Sequence, residues 1–271
     1  LADTLAKMAP FADGHADMNC YVETQGRGPD VVLLHGWGLH GGVFERVAAA
    51  LSAHYCVHMV DLPGHGASPA VEYFDAAEVA ADLARQFPLP VHVLGWSLGG
   101  LVAQHWAVQP ASQIRSLALV STSPRFVQGP DWAFGQSAAA IAEVGANLHK
   151  AFELTLKNFL ALQMLGAPHA RDTLKALSSQ LFAHGRPHGL LPALDCLLQA
   201  DARALAAQIH APTALFFGAR DRITPIGAGR WLAQMLPDAR LHLFEQASHA
   251  PFLSHEHDFL TLLLSHLDRH A

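Results

Sequence analysis

Ser97 stands in Gly95-Trp96-Ser97-Leu98-Gly99, a spacing that suits a nucleophilic hydroxyl. The run Val91-His92-Val93-Leu94 before it reads as a buried strand, and Leu98, Leu101, Val102 and Trp106 after it have helical spacing. A serine on so sharp a strand-to-helix turn is lifted clear of the sheet, and the flanking glycines let strand and helix pass without Cβ clashes. The N–H groups that open the helix can face a developing anion. A serine hydroxyl is a poor nucleophile at neutral pH, so a base must take its proton. His249, in the loop after the last apolar run, suits that role and can then protonate a leaving alcohol. Asp221, in Gly218-Ala219-Arg220-Asp221, can hold the imidazole in the required tautomer and stabilise its charged form. The oxyanion of an attacked ester needs two fixed donors. The Leu98 N–H is one, and the Trp37 N–H of His35-Gly36-Trp37-Gly38 is the other. Asp221 also has the position of a helix-capping aspartate ahead of Pro225. Asp61 and Asp238 are worse placed to act as the acid, and His35 suits shaping its loop better than acting as a base.

These residues need strands to carry them. Apolar runs are expected to form strands at Val31–Leu34, Cys56–Val60, Val91–Leu94, Ile114–Val120, Thr213–Phe217 and Arg240–Phe244, with Asn19–Thr24 as an edge strand. Helices are expected at Val43–Ser52, Asp75–Phe87, from Leu98, at Ile226–Leu236 and at Asp258–Asp268. Such alternation implies a mostly parallel sheet with right-handed crossovers and a site at the carboxyl ends of its strands. The chain order Ser, Asp, His is that of the α/β-hydrolase triad. From Arg125 to about Ala207 the alternation stops and helices are expected at Asn147–Leu165, Arg171–Ala183 and Leu190–Gln208. The expected architecture is therefore an α/β-hydrolase core, residues 18–124 and 208–271, with a helical cap inserted at 125–207 and an N-terminal extension at 1–17.

Composition excludes several classes. The 271 residues carry a net charge of −6 and no basic run, which argues against nucleic acid binding. No apolar stretch approaches the ~18 residues of a membrane span, and no secretory leader is evident. Cys20, Cys56 and Cys196 form neither a zinc pattern nor a disulfide framework, and free thiols in a cytoplasmic protein are expected. Among 19 histidines no metal-ligand spacing of the H-E-x-x-H kind occurs, and His255-Glu256-His257 would hold a metal only weakly. The glycine loop after Asp61 lacks a dinucleotide fingerprint. Neither a metal nor a cofactor is expected.

Leu34-His35-Gly36-Trp37-Gly38-Leu39, Val60-Asp61-Leu62-Pro63-Gly64, Leu94–Ala103, Phe159-Leu160-Ala161-Leu162-Gln163 and Ala247–Phe252 together resemble the pimeloyl-[acyl-carrier protein] methyl ester esterases of biotin synthesis. Trp96 within the elbow and the Phe-Leu-Ala-Leu-Gln segment are the narrower signals. The resemblance covers about Met18 to the C-terminus. It implies a serine esterase that frees the distal carboxylate of a pimeloyl group held on acyl carrier protein, with methanol leaving. It implies Ser97, Asp221 and His249 as the triad, Trp37 and Leu98 as oxyanion and substrate contacts, and Phe159 to Gln163 lining the acyl channel. It implies a basic cap facing the carrier protein. Arg171 and Lys175 keep that character, Leu154 and Asn158 stand where arginines would be expected, and Lys150 and Lys157 can substitute. Between Asn147 and Arg186, Lys150, Lys157, Arg171, Lys175 and Arg186 are opposed only by Glu153 and Asp172. The expected protein is a monomer. A general short-chain carboxylesterase without a protein partner would use the same triad. A non-catalytic binding protein would have no need of a base beside the serine.

Overall fold

The computed structural model describes residues 19–110, 113–166, 170–182 and 184–271. The extension expected over residues 1–17 lies outside them. Seven strands form one sheet: β1 Val22–Gly26, β2 Asp30–Leu34, β3 Cys56–Val60, β4 Val91–Trp96, β5 Ile114–Val120, β6 Thr213–Gly218 and β7 Ala239–Phe244. Their spatial order is β1-β3-β2-β4-β5-β6-β7. β1 is antiparallel to β3, and every other pair is parallel. Burial follows that order. β4 and β6 are buried along their whole length, as unbroken apolar runs covered on both faces must be, while β1 and β7 at the edges are mixed.

Helices α1 Glu45–Leu51, α2 Ala76–Gln86 and α3 Leu98–Ala107 connect the first strands. The first expected helix begins as a 3-10 turn, Gly41–Phe44, before α1. α2 starts where Asp75 accepts from the Ala77 and Glu78 N–H groups, and it buries Val79, Ala80 and Leu83. α2 packs beside α3. The strand order reverses at β2, with β3 on one side and β4 on the other. Loops leaving the carboxyl ends of β2 and β4 therefore flank the crevice where open α/β sheets bind ligands. Those loops carry Trp37 and Ser97.

Between β5 and β6 lie α4 Ala138–Lys150, α5 Phe152–Gln163, α6 Ala170–Gln180, α7 Leu190–Gln199 and a 3-10 turn, Arg203–Gln208. Two expected helices are corrected here. The helix expected over Asn147–Leu165 is two helices, broken at Ala151, whose φ of −150° and ψ of 65° leave the helical region. Its apolar stripe (Leu148, Leu156, Leu160) stays buried across the break, so periodicity alone did not reveal it. The helix expected over Leu190–Gln208 ends at Gln199, because Ala200 is extended at ψ 131°. Arg203 N–H then bonds the Asp201 carboxylate and opens the 3-10 turn. This segment also holds two isolated bridges, Val127 with Gln136 and Gly129 with Trp132. α8 Ile226–Met235, a short α9 Pro251–Ser254 and α10 Glu256–Asp268 complete the chain. Among the described residues no helix is long and apolar enough to cross a membrane.

Candidate active site

Ser97 is held in a left-handed conformation, φ 55° and ψ −114°, at the N-terminus of α3. A non-glycine residue there is strained, and its surroundings must hold it in place. The Ser97 N–H donates to Val120 O at 3.0 Å, and the Thr122 hydroxyl donates to Ser97 O at 2.6 Å. The glycine at position 99 is required by close approach. A Cβ there would lie 2.2 Å from Leu34 O and 2.7 Å from His35 O. At Gly95 a Cβ would lie 2.5 Å from Gly99 O. Strand, elbow and helix thus touch backbone to backbone, and Gly99 N–H bonds His35 O at 3.0 Å, tying α3 to the loop after β2.

That loop is pinned by His35. Its Nε2 accepts from the Leu62 N–H at 2.9 Å, so the proton lies on Nδ1, which donates to Gly36 O at 2.8 Å. Complete burial holds the His35 pKa well below the ordinary histidine range. A neutral imidazole with both nitrogens engaged is a loop strut, in line with the shaping role expected of it. Among the described residues the Trp37 and Leu98 N–H groups have no protein acceptor, whereas their neighbours Gly99 and Gly100 do. Two N–H groups without acceptors beside a strained serine are what an oxyanion requires.

His249 and Asp221 meet directly. His249 Nδ1 lies 2.8 Å from Asp221 Oδ2, and both side chains are buried. Asp221 Oδ1 accepts from the Ile223 and Thr224 N–H groups at 2.8 and 3.0 Å, and Oδ2 also accepts from the Thr224 hydroxyl at 2.7 Å. Asp221 does not cap α8, whose N-cap residue is Pro225 with no side-chain cap bond; its Oδ1 closes its own loop on Ile223 and Thr224 while Oδ2 faces the imidazole. Asp61 is used otherwise: its two oxygens accept from the Gly41 and Ala67 N–H groups. The His249 backbone is held from two sides. Its oxygen accepts from Trp96 Nε1 at 2.9 Å, and its N–H donates to Gln163 O, at the end of α5, at 3.0 Å. The Trp96 ring lies 5.5 Å from the imidazole and 5.1 Å from Phe252. The residue preceding Ser97 therefore anchors the loop of His249.

Ser97 and Trp37 line a mostly apolar cavity of about 120 Å³ together with Phe126, Ile141, Val144, Phe159, Leu162 and Leu194. Trp37 reaches across to the inserted helices, its Nε1 donating to Leu190 O at 2.8 Å and its ring meeting Phe159 edge-on at 4.8 Å. Of the Phe159–Gln163 segment, Phe159 and Leu162 line the cavity. Leu160 is buried in the core, Ala161 is exposed, and Gln163 is buried against His249. Ile141 and Val144 were missed because α4 was not expected. Its signals were Ser137, which caps by accepting from the Ala140 N–H, and the i, i+3 pair itself. Lys150, Lys157, Arg171 and Lys175 are all exposed, and Lys157 lies 3.6 Å from Glu153. Two groups among the described residues bring three metal-ligating atoms together, Asp30 with Cys56 and His58, and His40 with Asp61 and His184. Neither includes Ser97, Asp221 or His249.

Residues 31–262 match the model of the alpha/beta hydrolase family. A pimeloyl-[acyl-carrier protein] methyl ester esterase of Chromobacterium violaceum is 66% identical over 254 residues, spanning 94% of this chain and 100% of that protein. The chain belongs to this family of alpha/beta-hydrolase esterases. Another member, from Nitrosomonas europaea, is 38% identical over 89% of this chain and 96% of its own. The solved esterase of Exiguobacterium antarcticum has the same fold, with a TM-score of 0.86, 24% identity and coverage of 92% of this chain and 95% of that one. Membership makes the chain a carboxylic ester hydrolase.

Proposed function

We propose that this esterase hydrolyses the methyl ester of pimeloyl-[acyl-carrier protein] through an acyl-enzyme on Ser97. The observation that carries the reading is a strained serine lining an apolar cavity, preceded by the tryptophan that bonds the backbone of a histidine paired with an aspartate. Ser97 Oγ attacks the ester carbonyl while His249 Nε2 takes its proton. The oxyanion is received by the Leu98 and Trp37 N–H groups. His249 returns the proton to the departing methoxide, and methanol leaves. Water, deprotonated by the same imidazole, attacks the acyl-enzyme and frees the carboxylate. Asp221 keeps the Nδ1 proton in place throughout.

The cavity walls offer Phe159, Leu162, Ile141 and Val144 to the methylenes of the acyl chain, with no charged side chain among them. A methyl ester suits that lining, and the carboxylate product does not, because an unpaired charge is costly in apolar surroundings. Product release is thereby favoured. The names of the relatives supply the carrier protein as the group beyond the acyl chain. We assign Lys150, Lys157, Arg171 and Lys175, all exposed, to contact with that acidic partner, and Phe159 and Leu162 to the channel between them. The inserted segment 125–207 then acts as a lid, and the protein works as a cytoplasmic monomer.

The test is trapping. Methyl pimeloyl-carrier protein is mixed with excess enzyme, quenched in acid and digested, and the peptide bearing Ser97 is weighed. A Ser97 peptide carrying the pimeloyl group still joined through its thioester to the carrier protein's phosphopantetheine peptide, and absent from Ser97→Ala, supports the mechanism. Unchanged turnover by Ser97→Ala would overturn it.

A further inference from the structure

A second cluster of reactive side chains lies at the opposite end of the sheet. Parallel pairing sets Asp30, first residue of β2, opposite Cys56, first residue of β3. His58 is two residues further along β3, and side chains two apart on a strand share a face. The three therefore project together from the amino-terminal end of the strands. Ser97 and His249 sit at the carboxyl end, more than about 13 Å away along five residues of β2.

We propose that Asp30, Cys56 and His58 bind a divalent transition-metal ion of the zinc class. One oxygen, one sulfur and one nitrogen donor from these residues all lie within 4.8 Å of one another. Zinc bonds of about 2.0–2.3 Å in a tetrahedron separate the donors by about 3.3–3.8 Å, so small side-chain rotations suffice. His58 Nε2 already points at Asp30 Oδ1, 2.7 Å away. Its other nitrogen, Nδ1, is 2.9 Å from the Thr24 hydroxyl on β1. Metal-binding histidines use such an outer partner to fix the ring and its tautomer. All three residues are half-buried, which leaves room for water as a fourth ligand.

A histidine–aspartate hydrogen bond alone accounts for two of the residues. The thiol beside them changes the chemistry, because a thiolate with an imidazole and a carboxylate selects zinc-like ions over calcium or magnesium. Binding replaces the Cys56 S–H proton by the metal, and that proton goes to solvent. The rival cluster has poorer donors, since both oxygens of its Asp61 already accept backbone N–H groups. The pattern Cys56-x-His58 in a strand was legible in the sequence, but its third ligand comes from a neighbouring strand.

The test is a cobalt titration of the chelator-treated full chain, read by absorption. A thiolate-to-cobalt charge-transfer band should grow to one ion per chain and vanish on adding zinc. Cys56→Ser should abolish the band, His58→Gln and Asp30→Asn should weaken binding at least about tenfold, and Cys196→Ser should change nothing. Turnover of a short acyl ester verifies that each variant is folded, and Cys56→Ala serves if Cys56→Ser is not. Zinc at about 100 times its dissociation constant should raise Tm by about 5–10 °C. Absence of the band, or a band that survives removal of the Cys56 thiol, would overturn the assignment.

Discussion

Gly99→Ala adds one methyl group where the elbow helix meets the sheet. The new Cβ would sit 2.2 Å from Leu34 O, 2.5 Å from Leu34 C and 2.7 Å from His35 O. All three are backbone atoms, so no side-chain rotation relieves the contact. Ordinary van der Waals separation demands that α3 retreat from β2 by about 1 Å. That movement weakens the Gly99 N–H bond to His35 O, worth about 1 kcal/mol, and adds overpacking of about 1–3 kcal/mol. Alanine recovers about 1 kcal/mol of helix propensity. The net loss is about 1–3 kcal/mol, or about 2–12 °C in Tm for a domain of this size. The effect on rate should be larger in proportion, because the same contact sets Ser97 against the Trp37 loop. A misplacement of about 1 Å at a reacting centre costs on the order of 100-fold. The assay is kcat on a short acyl ester beside calorimetric Tm. A variant with wild-type kcat and Tm would show that the close approach does not position the nucleophile.

Four further outcomes are expected. Ser97→Ala and His249→Ala should each lower kcat by about 10⁴- to 10⁶-fold without loss of fold, and Asp221→Asn by about 10⁴-fold, measured in preparations free of other esterases. Trp37→Phe keeps the backbone donor but loses the bond to Leu190 O, so unfolding by denaturant should show a loss of about 1 kcal/mol while kcat falls less than tenfold. Stability should be greatest above pH 6.5 and fall between about pH 6.5 and pH 4. His65, His92 and His266 are pushed down to about 4 by burial, and His35 is pushed down as well, so the unfolded chain takes up protons that the folded chain refuses. Each such histidine adds up to about 1.4 kcal/mol per pH unit to the slope, and urea melts that coincide at pH 7 and pH 5 would contradict this. Reversing Arg171 and Lys175 to glutamate should slow the carrier-bound ester, most at low salt, and leave the free methyl ester unchanged; equal losses on both would remove the docking surface.

The core of the fold was legible because its strands are dense apolar runs and its loops end in glycine, aspartate or proline. Six parallel strands fell where the runs of Val, Leu, Ile and Phe fell. The loops that carry Trp37, Ser97, Asp221 and His249 follow from that, since each comes a few residues after such a run. The inserted helices were less legible. Ala151 carries no breaker chemistry, and Leu148 and Leu156 are buried on either side of it, so neither residue type nor periodicity marks the break. Phe159 and Leu162 face the cavity while Leu160 does not, a distinction that depends on how α5 is rotated against Trp37. The two backbone bonds that hold His249, from Trp96 and to Gln163, have no sequence signal, because one uses a side chain 153 residues away and the other uses a carbonyl.

A preference for an ester presented by a carrier protein separates this enzyme from a general esterase. The most direct measurement is kcat/KM of the same enzyme for methyl pimeloyl-[acyl-carrier protein] and for the free methyl ester, with methanol release as the common readout. The carrier-bound ester should have an advantage of at least about 100-fold, equivalent to about 2.7 kcal/mol of added transition-state binding. Equal values, or a preference for the free ester, would contradict it and identify a general short-chain carboxylesterase.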